Sequence, residues 1–199
     1  MPQPVNEAYE EAEDDDDPLS ILTSRLNKLR KGPIELEWEL RTFVLECHIP
    51  LYIAFNDAFE IIGGETMLNI SCIQLWCMYM DTVIVESVRV LVYGFLEPQT
   101  IQPSRNTLES RKSYIQTWMI ESNREMYIAP YIDAGHWQLM VIIPKKAQVC
   151  NKKNDSWACG YCIMSWMKAI IRAVKGDWTE RFNTTSTLLD AVIKTIREE

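Results

Sequence analysis

An alternating, β-branched run that ends at a proline constrains this chain most. The residues Trp137, Leu139, Val141 and Ile143 alternate with Gln138, Met140 and Ile142, and Pro144 follows. A period of two predicts a strand, and proline ends it because proline has no backbone N–H to donate. Gly135 allows a tight turn immediately before the run. His136 therefore occupies the first residue of the strand, where its side chain can face a cleft.

A helix is predicted next, because apolar residues recur at spacings of three and four. They are Ile163, Trp166, Met167, Ile170, Ile171 and Val174. Asp155 or Ser156 is a suitable N-cap for this helix, so Cys159 falls in its first turn. Unpaired backbone N–H groups in a first turn lower the pKa of a thiol. The same groups can hold a developing oxyanion.

A thiol at a helix start and an imidazole at a strand start are the two parts of a Cys-His nucleophilic site. We therefore interpret Cys159 as the candidate nucleophile and His136 as the candidate general base. Each residue alone is more often structural, a buried thiol or a turn histidine; the two motifs together favour catalysis. A Cys3His zinc site that adds Cys150 and Cys162 is an alternative, but Cys159 and Cys162 on one helix lack the turn of a zinc knuckle. No metal and no cofactor are expected.

The same residues carry a family resemblance. The sequence GHW before an aliphatic strand, and the later pattern SxxCGYC, resemble the ubiquitin-like-protein (SUMO) specific cysteine proteases of the adenain-like clan. The similarity is greatest to divergent members carried by plant transposons, which also share the segment Tyr93–Gln99. The resemblance implies a transposon-derived thiol protease that processes or de-conjugates a SUMO-like modifier, with the modifier or its conjugates as partner. It also implies that His136 is the base, that Cys159 is the nucleophile, and that Trp137 borders the channel for the substrate's Gly-Gly tail.

Two departures from the family pattern affect the expected activity. The family places an orienting Asp near the end of the strand after the His, and a Gln for the oxyanion hole six residues before the Cys. Here only 23 positions separate His136 from Cys159, Lys153 stands at the Gln position, and Asp155 is the one Asp between them. Asp155 lies only four residues before Cys159, so it cannot lie on a separate strand beside His136. We therefore expect that this chain has lost a segment between residues 146 and 150. That segment would hold one or two strands and the orienting Asp.

Loss of these groups would impair catalysis. Removing the orienting residue of a triad costs about four orders of magnitude in rate, and removing one oxyanion donor costs about a hundredfold or more. Three hypotheses follow: a cysteine-type peptidase with impaired activity, a catalytically dead pseudo-protease that acts only as a binding module, and a transposon-derived fragment that folds poorly.

Charge and composition divide the chain and limit its partners. Residues 1–18 are predicted to be an acidic, disordered tail, because Glu7 to Asp17 holds eight acidic residues; the rest of the chain carries 20 acidic and 20 basic residues. This balance gives no indication of nucleic-acid binding. Residues 19–32 predict a basic amphipathic helix, and residues 33–199 the protease-type domain. Six cysteines without a signal peptide, and no apolar run of about 18 residues, predict a nuclear or cytoplasmic protein that does not enter a membrane.

The predicted elements define an α+β fold, papain-like in outline, with helices packed on a small mixed sheet. Strands are predicted over Ile34 to Leu40, Pro50 to Phe55, Val83 to Phe95 and Glu125 to Tyr131, the last paired with the His136 strand. Helices are predicted from Asn56 or Asp57 to Ile62, Glu65 to Met80, Asn106 to Asn123 and Ser186 or Thr187 to Arg197. Trp76 is predicted to pack in the core rather than in a groove, and Cys72, Cys77 and Cys162 to be buried.

Overall fold

The computed structural model describes residues 20–21, 24, 26, 32–37, 40–43, 50–64, 66–146, 148–153 and 158–173. The predicted acidic tail and the last predicted helix lie outside these residues, as does most of the basic helix. The elements in chain order are β1 Ile34–Leu36, α1 Leu40–Phe43, β2 Leu51–Ile53, α2 Phe55–Gly63, α3 Ile70–Glu86, β3 Tyr93–Phe95, α4 Leu108–Ser122, β4 Met126–Asp133, β5 His136–Ile143, β6 Gln148–Lys153 and α5 Cys159–Arg172. A 3-10 turn, Pro144–Lys146, joins β5 to β6.

A mixed four-stranded sheet forms the centre of the fold, in the order β3-β4-β5-β6. β3 is parallel to β4, and the other neighbours are antiparallel. The predicted hairpin of β4 and β5 is confirmed, with Asp133 opposite His136. Its two-residue loop has both residues in the left-handed region, Ala134 at φ 49° and Gly135 at φ 78°. This loop geometry matches the twist of the two strands, so His136 begins β5 as predicted.

β6 was not predicted, and it changes the interpretation of the short interval between His136 and Cys159. The strand pairs with β5 along its length, from Ile143 opposite Gln148 to Gln138 opposite Lys153. The four-stranded sheet therefore continues from β5 into β6, and the loss of a segment between residues 146 and 150 stays a prediction. β6 ends at Lys153, and the prediction that Asp155 is not on a separate strand beside His136 lies outside the described residues.

α3 differs from its prediction at both ends. It begins at Ile70 rather than Glu65, after Asn69, whose side chain accepts a hydrogen bond from the Ser71 N–H. It also continues to Glu86, through residues that the sequence predicted as the start of a strand over Val83 to Phe95. Ile84 is buried one turn after Met80, so burial of the same helix face overrides the β propensity of the branched residues. Only Tyr93–Phe95 is a strand.

The amino-terminal part of the domain forms a small separate sheet. β1 pairs antiparallel with β2, as the predicted strands suggest, but β1 ends at Leu36 and Leu40 begins α1. α2 begins at Phe55, three residues earlier than a helix capped by Asp57 would and two earlier than one capped by Asn56, although the Asp57 carboxylate does accept the Ala54 N–H at 3.0 Å.

Two apolar layers cover the faces of the central sheet. On one face, Trp137, Leu139 and Val141 of β5 share a core with the apolar residues of α3 and α5. On the other face, Tyr127 and Ala129 of β4 pack with Trp118 of α4. Helices on both faces of a small mixed sheet confirm the α+β class. No helix among the described residues is long and apolar enough to cross a bilayer.

Candidate active site

The fold brings the two predicted catalytic positions to adjacent elements. The Trp137 backbone N–H donates to the Cys159 sulfur, with 3.2 Å between nitrogen and Sγ. Trp137 directly follows His136. The pairing of β5 with β6 runs from Ile143 back to Gln138, the residue after Trp137, and ends there. The thiol of the first residue of α5 therefore occupies the acceptor position where the ladder between β5 and β6 ends.

The Cys159 thiol is sealed in the interior, because the residue is 0% exposed. Burial raises its pKa above the ordinary value, since a thiolate loses solvation there. The backbone N–H groups of Trp137, Gly160 and Cys159 itself oppose this shift and lower the pKa. The predicted effect of the helix start is present, but desolvation outweighs it. The expectation of a thiol with a lowered pKa is therefore wrong for this conformation.

The start of α5 also differs in its cap. Ala158 is the N-cap, with φ −78° and ψ 12°, and no side chain caps it. The prediction of Asp155 or Ser156 as N-cap is wrong, because the helix begins two or three residues later than either cap requires. Cys159 is consequently the first helical residue, and Cys162 packs inward at 1% exposure, as predicted.

Trp137 lies in the core rather than on an open surface. Its side chain is 0% exposed, and the indole N–H donates to the Leu68 carbonyl at 2.8 Å. Leu68 also faces the start of α5, because a Cβ placed on Gly160 would stand 3.0 Å from the Leu68 Cβ. The substrate-binding role of Trp137 stays a prediction from the resemblance. The core role of Trp76 is confirmed, since that residue is 5% exposed and its indole donates to the Met164 carbonyl.

His136 is half-buried at the end of the hairpin, with Asp133 as its cross-strand partner. Directly opposite residues project to the same face of a sheet, with Cα atoms about 5.5 Å apart in a hydrogen-bonded pair. The Asp133 Oδ2 accepts from the Gln138 side chain at 3.2 Å, and the Gln138 Oε1 accepts from the Tyr131 hydroxyl at 2.9 Å. The sequence analysis missed this carboxylate because it searched only after His136; the pattern Asp-x-Gly-His, which permits a two-residue loop, was the available signal.

A groove opens beside the hairpin. Its volume is about 950 Å³, and residues that line it come from four places along the chain, namely Glu60, Leu68, Asn69, Gln102, Arg105 and Asp133. Leu68 connects the groove to the site, because it faces Gly160 and accepts the Trp137 indole. Leu68 is therefore shared by the lining of the groove and the packing around Trp137 and Gly160.

The described residues give no metal centre. No three or more His, Cys, Asp or Glu side chains cluster as metal ligands in the part of the chain that the structure describes. Comparison with known proteins adds no assignment: neither a scan against protein-family models nor a search of curated proteins returns a match. The geometry of the site and the sequence motifs alone therefore support a function.

Proposed function

We propose that this protein is a cysteine-type peptidase of the ubiquitin-like protein protease kind, built on a papain-like arrangement of helix and sheet. One observation carries the proposal: the 3.2 Å hydrogen bond from the Trp137 N–H to the Cys159 sulfur. It places a thiol at the start of a buried helix directly beside the strand that begins with His136. This is the arrangement of elements that a Cys-His nucleophilic site requires.

We propose the following chemistry for these two residues. His136 takes the proton of Cys159, and the sulfur attacks the carbonyl carbon of the substrate. The S–C bond forms, the C–N bond breaks, and His136 returns its proton to the leaving amine. The N–H groups in the first turn of α5 hold the oxyanion. Water then hydrolyses the thioester, which releases the carboxylate and the thiol.

The groove supports an extended tail as substrate. A cavity of about 950 Å³ that ends beside Leu68 can hold a peptide segment, and its lining mixes apolar side chains with amides and charges. Leu68 of this lining also packs against Gly160, the residue after Cys159. A ubiquitin-like protein with a Gly-Gly terminus, or its conjugate, is the substrate class that fits these limits.

Asp133 is the carboxylate that we propose to orient His136. It is the cross-strand partner of His136 and its Oδ2 is fixed by Gln138. Because Asp133 is exposed, water screens its charge, and its effect on the imidazole is weaker than that of a buried carboxylate. A modest turnover rate is therefore expected, in agreement with the impaired activity that the sequence predicts.

A second candidate function, binding without catalysis, is favoured by the burial of the thiol. Cys159 is 0% exposed and its pKa is raised, and its sulfur satisfies a backbone N–H that would otherwise be buried without a partner. Both features suit a structural cysteine. In a binding module the groove would hold a ubiquitin-like protein, and no bond would be cleaved.

Covalent capture separates the two candidates. The full chain is incubated at neutral pH with ubiquitin and SUMO probes that carry a carboxyl-terminal propargylamide, and intact mass is measured. A peptidase gains the mass of one probe; the adduct disappears in Cys159→Ala and persists in Cys162→Ala, a buried neighbour on the same helix. Binding by titration with unmodified SUMO or ubiquitin, without any adduct, supports the binding module and contradicts the peptidase.

A further inference from the structure

The turn after β3 lies against an edge of the sheet that no strand of the described residues covers. β3 pairs with β4 only from Met126 to Ile128, although β4 continues to Asp133. Unpaired strand edges expose backbone donors and acceptors. The two residues of β4 whose backbone groups face this side beyond Ile128 are Pro130 and Ile132. Pro130 has no N–H to satisfy, which leaves the Ile132 N–H.

The side chain of Gln102 supplies the acceptor that a neighbouring strand would otherwise supply to this edge. Its Oε1 accepts the Ile132 N–H at 2.9 Å, and its Nε2 donates to the Pro98 carbonyl at 2.7 Å. Gln102 is only 5% exposed, so both ends of the amide are used in a protected environment. A buried polar group that loses such a partner costs about 1–3 kcal/mol.

A buried carboxylate fixes the turn that carries Gln102. Glu97 is 3% exposed and accepts four hydrogen bonds, from the Gln99 N–H, the Thr100 N–H, the Thr100 hydroxyl and the Gln74 side chain. Gln74 belongs to α3, so the turn is anchored to the helix under the sheet. Glu97 belongs to the segment Tyr93–Gln99, which carries part of the family resemblance. Its hydrogen bonds fix the turn that supports Gln102.

This support connects directly to the proposed site. Ile132 is the cross-strand partner of Trp137, and the Trp137 N–H donates to the Cys159 sulfur. A shift of Ile132 therefore moves the residue that holds the thiol and the neighbouring His136. A misplacement of about 1 Å in a catalytic arrangement can cost about a hundredfold in rate.

We propose that Gln102 is a positioning residue, which fixes the β4–β5 hairpin and through it the geometry of His136 and Cys159. Its effect on the hairpin stands on the hydrogen bonds alone; its effect on catalysis rests on the proposed function. The Gln102 side chain acts through Ile132 and the hairpin, not by direct contact with the thiol or the imidazole.

The test uses a substitution that keeps volume and removes polarity. Gln102→Met retains the packing of the side chain but leaves the Ile132 N–H without its acceptor. Gln116→Met, at an exposed position of α4, is the matched control. We expect amide deuterium exchange at Ile132 to accelerate at least tenfold in Gln102→Met and to be unchanged in Gln116→Met. Unchanged exchange at Ile132 in Gln102→Met would overturn the proposal.

A kinetic comparison separates positioning from general loss of stability. We expect Gln102→Met to slow capture of Cys159 by the propargylamide probe about tenfold to a hundredfold. In the His136→Ala background, the same substitution should have no further effect, because the base that it positions is gone. An equal slowing in both backgrounds would show a purely structural role and overturn the catalytic part.

Failure of the proposed function has a different signature. If the wild type is never captured, the peptidase assignment falls, while exchange at Ile132 still decides whether Gln102 fixes the hairpin. Should Gln102→Met fail to fold, Gln102→Glu is measured at a pH low enough to protonate the new carboxyl group, which then keeps an acceptor for the Ile132 N–H and a donor for the Pro98 carbonyl. That variant should then retain slow exchange at Ile132; fast exchange in it would contradict the proposal.

Discussion

At the residue scale, the chemistry of this molecule depends on how burial competes with backbone N–H groups. The Cys159 thiol accepts hydrogen bonds from backbone N–H groups at a helix start, and these lower its pKa. Burial of the thiol outweighs them, so the pKa is raised above its ordinary value. A thiol with a raised pKa is a poor nucleophile until solvent or substrate changes its surroundings. A peptidase built on this site must therefore open when the substrate binds, or transfer the proton to His136 only in the complex.

Cys72 shows the same competition and allows a test of it. Burial, followed by the charges of Asp57 and Glu60, raises the pKa of this thiol to about 12. In the unfolded chain a thiol titrates near about 8.5. The folded state therefore keeps a proton that the unfolded state loses, so the stabilising contribution of Cys72 is complete below about pH 8.5 and is lost as pH rises towards 12.

We expect the free energy of unfolding to fall by about 2 kcal/mol more in wild type than in Cys72→Ala between pH 7.5 and pH 10, since each pKa unit is worth about 1.4 kcal/mol. Urea unfolding of both proteins at both pH values measures how much further the free energy of unfolding falls in wild type. The other thiols and the tyrosines contribute equally to both proteins and cancel. Parallel pH dependences in the two proteins would contradict the shift.

Val88 carries local backbone strain. Its φ is 57°, in the left-handed region, and its side chain is 89% exposed. A β-branched residue is disfavoured there by about 1 kcal/mol or more, whereas Asn tolerates the conformation. We expect Val88→Asn to raise the free energy of unfolding by about 1 kcal/mol. Leu91→Asn, at a 76% exposed position without positive φ, should give no gain; a gain of the same size there would refute the strain.

At the element scale, contact between α5 and the segment before α3 holds the site together. Gly160 packs against Leu68 so closely that a Cβ would stand 3.0 Å from two Leu68 carbons. Leu68 in turn fixes the Trp137 indole through its carbonyl. The glycine of the CGY motif is therefore required by helix packing, independently of any catalytic role.

We expect Gly160→Ala to lower the free energy of unfolding by about 1–2 kcal/mol, because overpacking outweighs the gain in helix propensity. In a Leu68→Gly background, which removes both close carbons, the same substitution should be neutral or stabilising. A double-mutant cycle by urea unfolding measures the coupling, which we expect to exceed about 1 kcal/mol. Additive effects would mean that the close contact does not determine the choice of glycine.

The sequence predicted the strongly patterned elements and missed those that depend on neighbours. β5 and α5 follow from clear periods of two and 3.6. β6 was missed because Gln148–Lys153 is largely polar and gains its order from pairing with β5. The branched residues at the end of α3 were assigned to a strand because only the packed structure shows Ile84 buried below Met80.

At the scale of the whole molecule, the α+β arrangement unites distant parts of the chain around one hairpin. α3 and α5 lie on one face of the sheet and α4 on the other. From the order of its elements, the sequence predicted that the Cys159 helix lies against the sheet that contains the His136 strand. It could not predict that Cys159 is sealed, nor that Gln102 supports the hairpin, because both depend on contacts between residues far apart in sequence.

The rate of probe capture in wild type and in His136→Ala, at pH 7.5 with intact-mass detection, tests the central claim most directly. If His136 takes the proton of Cys159, wild type forms a single adduct on Cys159 and His136→Ala forms it at least a hundredfold more slowly. Equal rates in the two proteins, or an adduct on a different cysteine, would contradict a Cys-His site in this protein.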